Sequence, residues 1–250
     1  MKEKVYKNDH CTIKLIQGDC MPAMAEMEEN QFDLAIVDPP YGLQFGEFNR
    51  TNKTTTGQRY KSNKYKNSDW DSEAPNEDYF LALKEVAKNQ IVWGGNYFGF
   101  LWPCKGFIFW NKQNPVSNFS DGELAYTSFD KVAKQFDYPY YGNIEGNGSA
   151  SKKHHPTQKP VALYKWILKN YGGHTQDKVD FPNKILDTHG GSMSIAIACH
   201  DMGFDLTLYE IDEDYYKAGV NRFEEHIKKP SLFTPQEMYP KQMNLMDDGE

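Results

Sequence analysis

Phe32-Asp33-Leu34-Ala35-Ile36-Val37-Asp38-Pro39-Pro40-Tyr41 is an apolar run that ends abruptly on an acid and two prolines. Phe32 to Val37 reads as a strand, and Asp38-Pro39-Pro40 is its stop, because proline cannot continue a central ladder. Upstream, Thr12 to Ile16 reads as a second strand ending at Gly18-Asp19, followed by a short helix with Met21, Met24 and Met27 facing a core. Downstream, a helix is predicted from about Glu77 to Lys88, with strands at Gln90 to Trp93, Gly106 to Trp110 and near Glu123 to Thr127.

The far end of the chain repeats this alternation. Lys184-Ile185-Leu186 is a short buried strand, and the next helix carries Ile195, Ala198, Cys199 and Met202 at the i, i+3, i+4, i+7 spacing. Gly203 ends that helix and Asp205 to Tyr209 returns as a strand. Asp212 caps a last helix with Tyr216, Val220 and Phe223 inward and Glu213 and Asp214 in its first turn. Alternating strands and helices imply a mostly parallel sheet with helices on both faces, a Rossmann-like α/β fold. Ligands in such sheets bind beyond the carboxyl ends of the strands. Chemistry is therefore expected at Gly18-Asp19, at Asp38 to Tyr41, at Asp187 to Ser192 and at Glu210.

With 250 residues the chain suffices for one sizeable α/β domain. A formal net charge of −7 argues against a general nucleic-acid coat, so any contact with phosphates has to be concentrated locally. The segment from Arg50 to Lys66 does this: it holds Arg50, Lys53, Arg59, Lys61, Lys64 and Lys66, interleaved with Tyr60 and Tyr65, and no acid. It reads as a phosphate-contacting loop, the alternative being a solvated flexible loop. The four cysteines form no C-x-x-C pair and read as reduced thiols, which with the charged N-terminus and the lack of a long apolar run predicts a soluble cytoplasmic protein. His154-His155 lacks a carboxylate at a matching spacing, so no metal site is expected.

Asp38 to Tyr41 suits a specific chemistry. The amino group of a nucleic-acid base is a poor nucleophile because its lone pair is delocalised into the ring. A carboxylate (Asp38) and a carbonyl (Pro39, held by two prolines of restricted φ) can accept from its two hydrogens and favour a pyramidal nitrogen. Tyr41 offers a ring on which a base stacks, worth on the order of 1–3 kcal/mol. That helps offset the few kcal/mol needed to extrude the base from a duplex. Taken alone, the motif is also a common turn.

The motif has company. With Asp38-Pro39-Pro40-Tyr41, the string His155-Pro156-Thr157-Gln158-Lys159-Pro160 precedes an amphipathic helix (Leu163, Trp166, Ile167, Asn170), and Asp187-Thr188-His189-Gly190-Gly191-Ser192 follows a strand. In these three segments the chain resembles the permuted (beta-group) DNA amino-methyltransferases, whose catalytic motif precedes the cofactor motif. The resemblance implies a single methyltransferase domain across residues 1–250, with a DNA-contact insertion at about 44–76 and a small target-recognition region at about 111–153. It implies S-adenosylmethionine as methyl donor, double-stranded DNA as partner, a monomer or homodimer, and a bacterial or phage source, in the setting of restriction-modification. An aspartate first in the catalytic motif implies adenine N6 as target, with cytosine N4 or RNA adenine as alternatives, and a DNA-binding module without turnover as the alternative from another class.

The resemblance also assigns the donor site. Asp187, His189, Gly190, Gly191 and Ser192 would cradle the methionine part, Thr157 and Lys159 would meet its carboxylate, Glu210 would accept from both ribose hydroxyls, and Asp19 would lie near the cofactor adenine. A solvated strand end for Glu210 and a helix cap for Asp19 are the alternatives. Two glycines let the backbone pass close to a ligand, and the helix N-terminus that follows favours negative groups. The loop departs from the family in having His189 for the usual aromatic and Met193 where a second glycine is common.

Overall fold

The computed structural model describes residues 2–42, 74–115, 120–141, 144–146, 149–150, 158–172 and 184–229. In chain order these form β1 (Lys2–Lys7), β2 (Thr12–Gln17), α1 (Cys20–Met24), β3 (Phe32–Val37), α2 (Glu77–Val86), β4 (Ala87–Trp93), β5 (Phe107–Asn111), β6 (Gly122–Thr127) and β7 (Lys134–Asp137). Three two-residue strands follow, β8 (Tyr140–Tyr141), β9 (Ile144–Glu145) and β10 (Ser149–Ala150). Then come α3 (Val161–Tyr171), β11 (Lys184–Asp187), α4 (Ser194–Met202), β12 (Asp205–Glu210) and α5 (Glu213–Ile227).

Nine strands make one sheet in the order β1-β2-β12-β11-β3-β4-β6-β5-β7. The run β2-β12-β11-β3-β4 is parallel throughout; β1 pairs antiparallel to β2, and β6 lies antiparallel to both β4 and β5. The expected strands near residues 12, 32, 90, 106, 123, 184 and 205 are all present. The charged N-terminus forms β1, an edge strand not foreseen. Its burial pattern is almost wholly exposed, so no apolar alternation betrays it, while its lysines ion-pair with Glu213 and Glu224 on α5.

Helices cover both faces. On one side α3, α4 and α5 pack on Ile13, Leu15, Leu34, Ile36, Ile91, Ile185 and Leu208. On the other, α1 and α2 pack on Phe32, Ala35, Val37, Val92 and Leu186. From Leu34 to Val37 β3 is apolar without a break because its alternate side chains enter two different cores. The helices stop and start as their caps dictate. Asn76 accepts from the Tyr79 N–H, Asp212 from that of Tyr215, and Gly203, with φ of 77°, turns the chain out of α4. No helix among the described residues is long and apolar enough to cross a membrane.

Strand order decides where a ligand goes. From β3 the chain reaches β4 on one side, whereas from β11 it reaches β12 on the other. The boundary between β3 and β11 is therefore the topological switch point, and the crevice beyond their carboxyl ends is the binding position for such sheets.

Candidate active site

That crevice holds a cavity of about 300 Å3. The β3 side contributes Asp38 and Pro40; the segment into α3 contributes Gln158, Lys159 and Tyr164; the loop after β11 contributes His189, Gly190, Gly191 and Ser192. Glu210, Ile211 and Tyr215 close it from the end of β12 and the start of α5. Four segments of the sequence thus converge on one space.

The acceptor side is built from paired charges. Tyr41 Oη donates to Asp38 Oδ1 at 2.6 Å, and Lys159 Nζ lies 2.5 Å from Asp38 Oδ2. The same Nζ sits 3.2 Å from Glu123 Oε2 and 5.2 Å from the centre of the Trp93 ring, with the Lys159 side chain 2% exposed. Lys112 pairs with the other Glu123 oxygen. Burial pushes the Asp38 carboxyl up, with Lys159 and Tyr41 opposing it. Burial also opposes ionisation of Glu123, but Lys159 and Lys112 together hold its carboxyl down to about 2. Lys159, expected at a donor carboxylate, is instead the counter-ion between Asp38 and Glu123. A fully buried ammonium has to be paired, and two carboxylates lie within its reach.

Tyr41 is seated with little latitude. Gly94 has φ of 66°, and a Cβ there would lie 2.1 Å from Tyr41 Cε1. Tyr97, in the short 3-10 turn Gly95–Tyr97, stacks on the Tyr41 ring at 4.9 Å between centroids and 21° between planes. The ring face it covers is open to a base only when Tyr97 moves aside. Tyr97 itself is 49% exposed.

The other side uses backbone donors in place of lysines. Asp187 closes β11 and accepts from the His189 N–H at 2.9 Å, and burial raises its carboxyl to about 8. Glu210 accepts from the Gly191 N–H at 2.6 Å and the Asp212 N–H at 2.8 Å, which ties the glycine loop to β12. Among the described residues no lysine or arginine forms an ion pair with either acid. His189 is held neutral, its ring pushed down to about 4 by burial, with Nδ1 2.9 Å from Thr188 Oγ1. Met193 takes the left-handed conformation, φ 56°, where glycine is easier; its side chain is fully buried against Gly219 of α5. That packing compensates for the missing glycine.

Of the residues expected at the donor, Lys159, His189, Gly190, Gly191, Ser192 and Glu210 line the cavity. Asp187 stands behind the loop. Asp19 caps α1, its carboxylate accepting from the Met21 N–H at 2.9 Å, so the structure adopts the cap reading and leaves it outside the lining. Thr157 and the whole basic segment (Arg50, Lys53, Arg59, Lys61, Lys64, Lys66) lie outside the described residues, as does His154-His155. Pro39 is buried beneath the site. Glu123, Lys112, Tyr97 and Tyr164 were not foreseen. Glu123 did leave a signal: on β6 it shares the inward parity of buried Ala125 and Thr127, and an acid at such a position requires a partner.

Elsewhere, Asp201 joins His226 at 2.7 Å, His200 at 3.4 Å and Lys165 at 2.7 Å, clamping α3, α4 and α5 together. Among the described residues this is a His/Asp group close enough to consider for a metal, but the Lys165 ammonium already neutralises the carboxylate.

The fold is that of the S-adenosylmethionine-dependent methyltransferases. Solved structures similar to it include M1.HpyAVI with S-adenosylmethionine, at TM-score 0.50 and 17% identity over 84% of this chain and 99% of that one. Another is the PvuII DNA methyltransferase, described as cytosine-N4-specific, at TM-score 0.53 and 13% identity over 86% and 90% of the two chains. Among curated proteins, the chain is 27% identical to the provisionally named methylase YubD of Escherichia coli (strain K12), over 84% of this chain and 89% of the relative. It is 24% identical to the type II methyltransferase M2.MboI of Moraxella bovis, over 77% and 81%. No protein-family model matches the chain.

Proposed function

We propose that this protein transfers a methyl group from S-adenosylmethionine to the exocyclic N6 of adenine in double-stranded DNA. The observation that carries the reading is the placement of Asp38-Pro39-Pro40-Tyr41 at the sheet's switch point, with Asp38 and Pro40 on the wall of the same cavity as the Gly190-Gly191 loop and Glu210. Methyl transfer is also the activity in the name of M2.MboI, and DNA methyl transfer that in the name of the PvuII enzyme.

The residues present fit the donor. Its sulfonium and ammonium are cationic, and a cation favours the ionised forms of Asp187 and Glu210, which backbone N–H groups hold and with which no lysine or arginine among the described residues pairs. Each carboxylate oxygen can accept a second hydrogen bond, so Glu210 can hold the loop and a ribose hydroxyl together. When bound, the donor supplies an electrophilic methyl group. Asp38 and the Pro39 carbonyl accept from the target amine and orient its lone pair, and after transfer the Asp38 carboxylate takes up the surplus proton. Rate acceleration comes from orientation and preformed acceptors, with no covalent enzyme intermediate. The basic residues Arg50 to Lys66 are the proposed phosphate contacts that let an acidic protein hold an acidic polymer.

Cytosine N4 is the second reading, since it has the same amine chemistry and the PvuII enzyme has this fold. Incubating the protein with isotopically labelled donor and unmethylated genomic DNA, then digesting to nucleosides for mass spectrometry, separates them. Label in N6-methyladenine supports the proposal; label only in N4-methylcytosine, or none, overturns it.

A further inference from the structure

Lys112, Glu123, Lys159 and Asp38 form one line of alternating charge, running from the partly exposed rim at Lys112 to the catalytic loop. An acceptor carboxylate needs only to be ionised and open, so the remainder of this line calls for an explanation. We propose that Glu123 is a positioning residue that holds the Lys159 ammonium between two carboxylates and so keeps Asp38 available to the target amine. The inference rests on the reading of Asp38 as the acceptor.

The argument begins with Lys159. Its Nζ has three hydrogens and almost no access to water; it is 2.5 Å from Asp38 Oδ2 and 3.2 Å from Glu123 Oε2, over the face of Trp93. If Glu123 were neutral, Asp38 would be the one charged partner left to a buried ammonium that already lies 2.5 Å from it. A carboxylate that already accepts from Tyr41 and carries a full ion pair is a poorer acceptor for a weakly polar amine. Glu123 shares the ammonium from 3.2 Å, so Asp38 does not balance it alone, and Lys112, just after β5, fixes Glu123. The line also joins β6 to the loop after β3, so a merely structural role is the competing account. A pH profile separates the two.

The groups that face Asp38 are Lys159 from the segment into α3, Tyr41 from its own loop, Glu123 from β6, and Tyr164 and Asp187, whose ionisation it influences, from α3 and β11. Tyr164 stays neutral, because burial raises its hydroxyl, and Asp187 is common to every variant. Asp38 accepts only as a carboxylate, so the acid limb of turnover follows its protonation. The negative charge of Glu123 favours the proton on Asp38. Without that charge the limb moves to lower pH.

The test is tritiated methyl transfer from S-adenosylmethionine to unmethylated genomic DNA between pH 5 and 9 (an assay range, chosen as roughly the span in which carboxylate and histidine titrations are separable), with donor affinity by calorimetry. Glu123→Gln is expected to lower the turnover plateau about tenfold, the worth of roughly one hydrogen bond. It should move the acid limb down by about one pH unit, the low end for an adjacent charge, at unchanged donor affinity. Glu123→Asp, which keeps the charge, restores the limb to its wild-type position. If Glu123→Gln does not fold, Lys112→Met gives the reading from the tolerant rim: it leaves Glu123 less neutralised, and the limb should move to higher pH. Unmoved limbs in the variants that fold, even with lowered melting temperature, overturn the positioning role and leave a structural clamp. A wild type that transfers no methyl group overturns the function reading beneath it, an outcome seen before any variant is compared.

Discussion

The two walls of the cavity handle buried acids differently. On the β3 wall Asp38 and Glu123 are paired with Lys159 and Lys112. On the β11–β12 wall Asp187 and Glu210 are satisfied by backbone N–H groups of the loop and of Asp212, without a cation among the described residues. A lysine-paired wall has its charge balanced in advance and offers directed acceptors to a neutral group. A wall whose acids are held by amides, with burial opposing their ionisation, gains most from a cationic ligand that favours the charged forms. On the proposed function, the difference divides the labour: base on one wall, sulfonium donor on the other.

The largest expected effect lies on the paired wall. Asp38→Ala should cost roughly 10²–10³ in turnover, the range for losing one preformed hydrogen-bond partner in the transition state, measured with tritiated donor on DNA. Near-normal turnover would erase the distinction between the walls. Next is Gly94→Ala, which drives a Cβ into the Tyr41 ring at a positive φ. It should lower turnover about tenfold or more, since small misplacements of catalytic groups are costly, while leaving donor affinity alone; a parallel loss of donor affinity would mean the walls are not independent.

A pH experiment sharpens the comparison on the other wall. Burial holds Asp187 protonated up to about pH 8, and a bound cation favours its ionised form. Donor binding should then expel a proton below that pH. Affinity should rise with pH by up to about tenfold per unit, the limit for one linked proton, and level off above about 8. Asp187→Asn should flatten the curve. Calorimetry in buffers of different ionisation enthalpy counts the proton; a flat wild-type curve would remove the electrostatic argument for the donor wall.

The smallest effect concerns neither wall. Replacing Lys61 and Lys64 together by alanine should reduce the slope of log DNA affinity against log salt by about one unit per lost phosphate contact, for cognate and random duplexes alike, at unchanged donor affinity. Parallel lines for wild type and variant would mean a solvated loop.

How much of this was legible in the residues follows the same division. The β11–β12 wall is local: a strand, two glycines and a helix start are contiguous, and Glu210 ends the next strand, so periodicity and glycine placement pointed to these residues, though not to Ile211 and Tyr215 beside them. Asp38 was equally plain, because its prolines stop an apolar strand. The partners of Asp38 were not. Lys159 and Glu123 come from a segment beyond the middle and from an antiparallel strand, and only the fold brings them within 3.2 Å. Pattern alone placed Lys159 at the donor, since it could not show that a nearer carboxylate would claim it. β1 escaped because an edge strand paired through charges carries no apolar alternation.

The most direct test of the division is donor binding by calorimetric titration in two variants side by side, Asp38→Ala and Glu210→Ala. The account expects Asp38→Ala to bind S-adenosylmethionine as the wild type does, and Glu210→Ala to lose about 2–3 kcal/mol of binding, the range for a charged hydrogen-bonded contact. The reverse pattern, or equal losses in two folded variants, would contradict it.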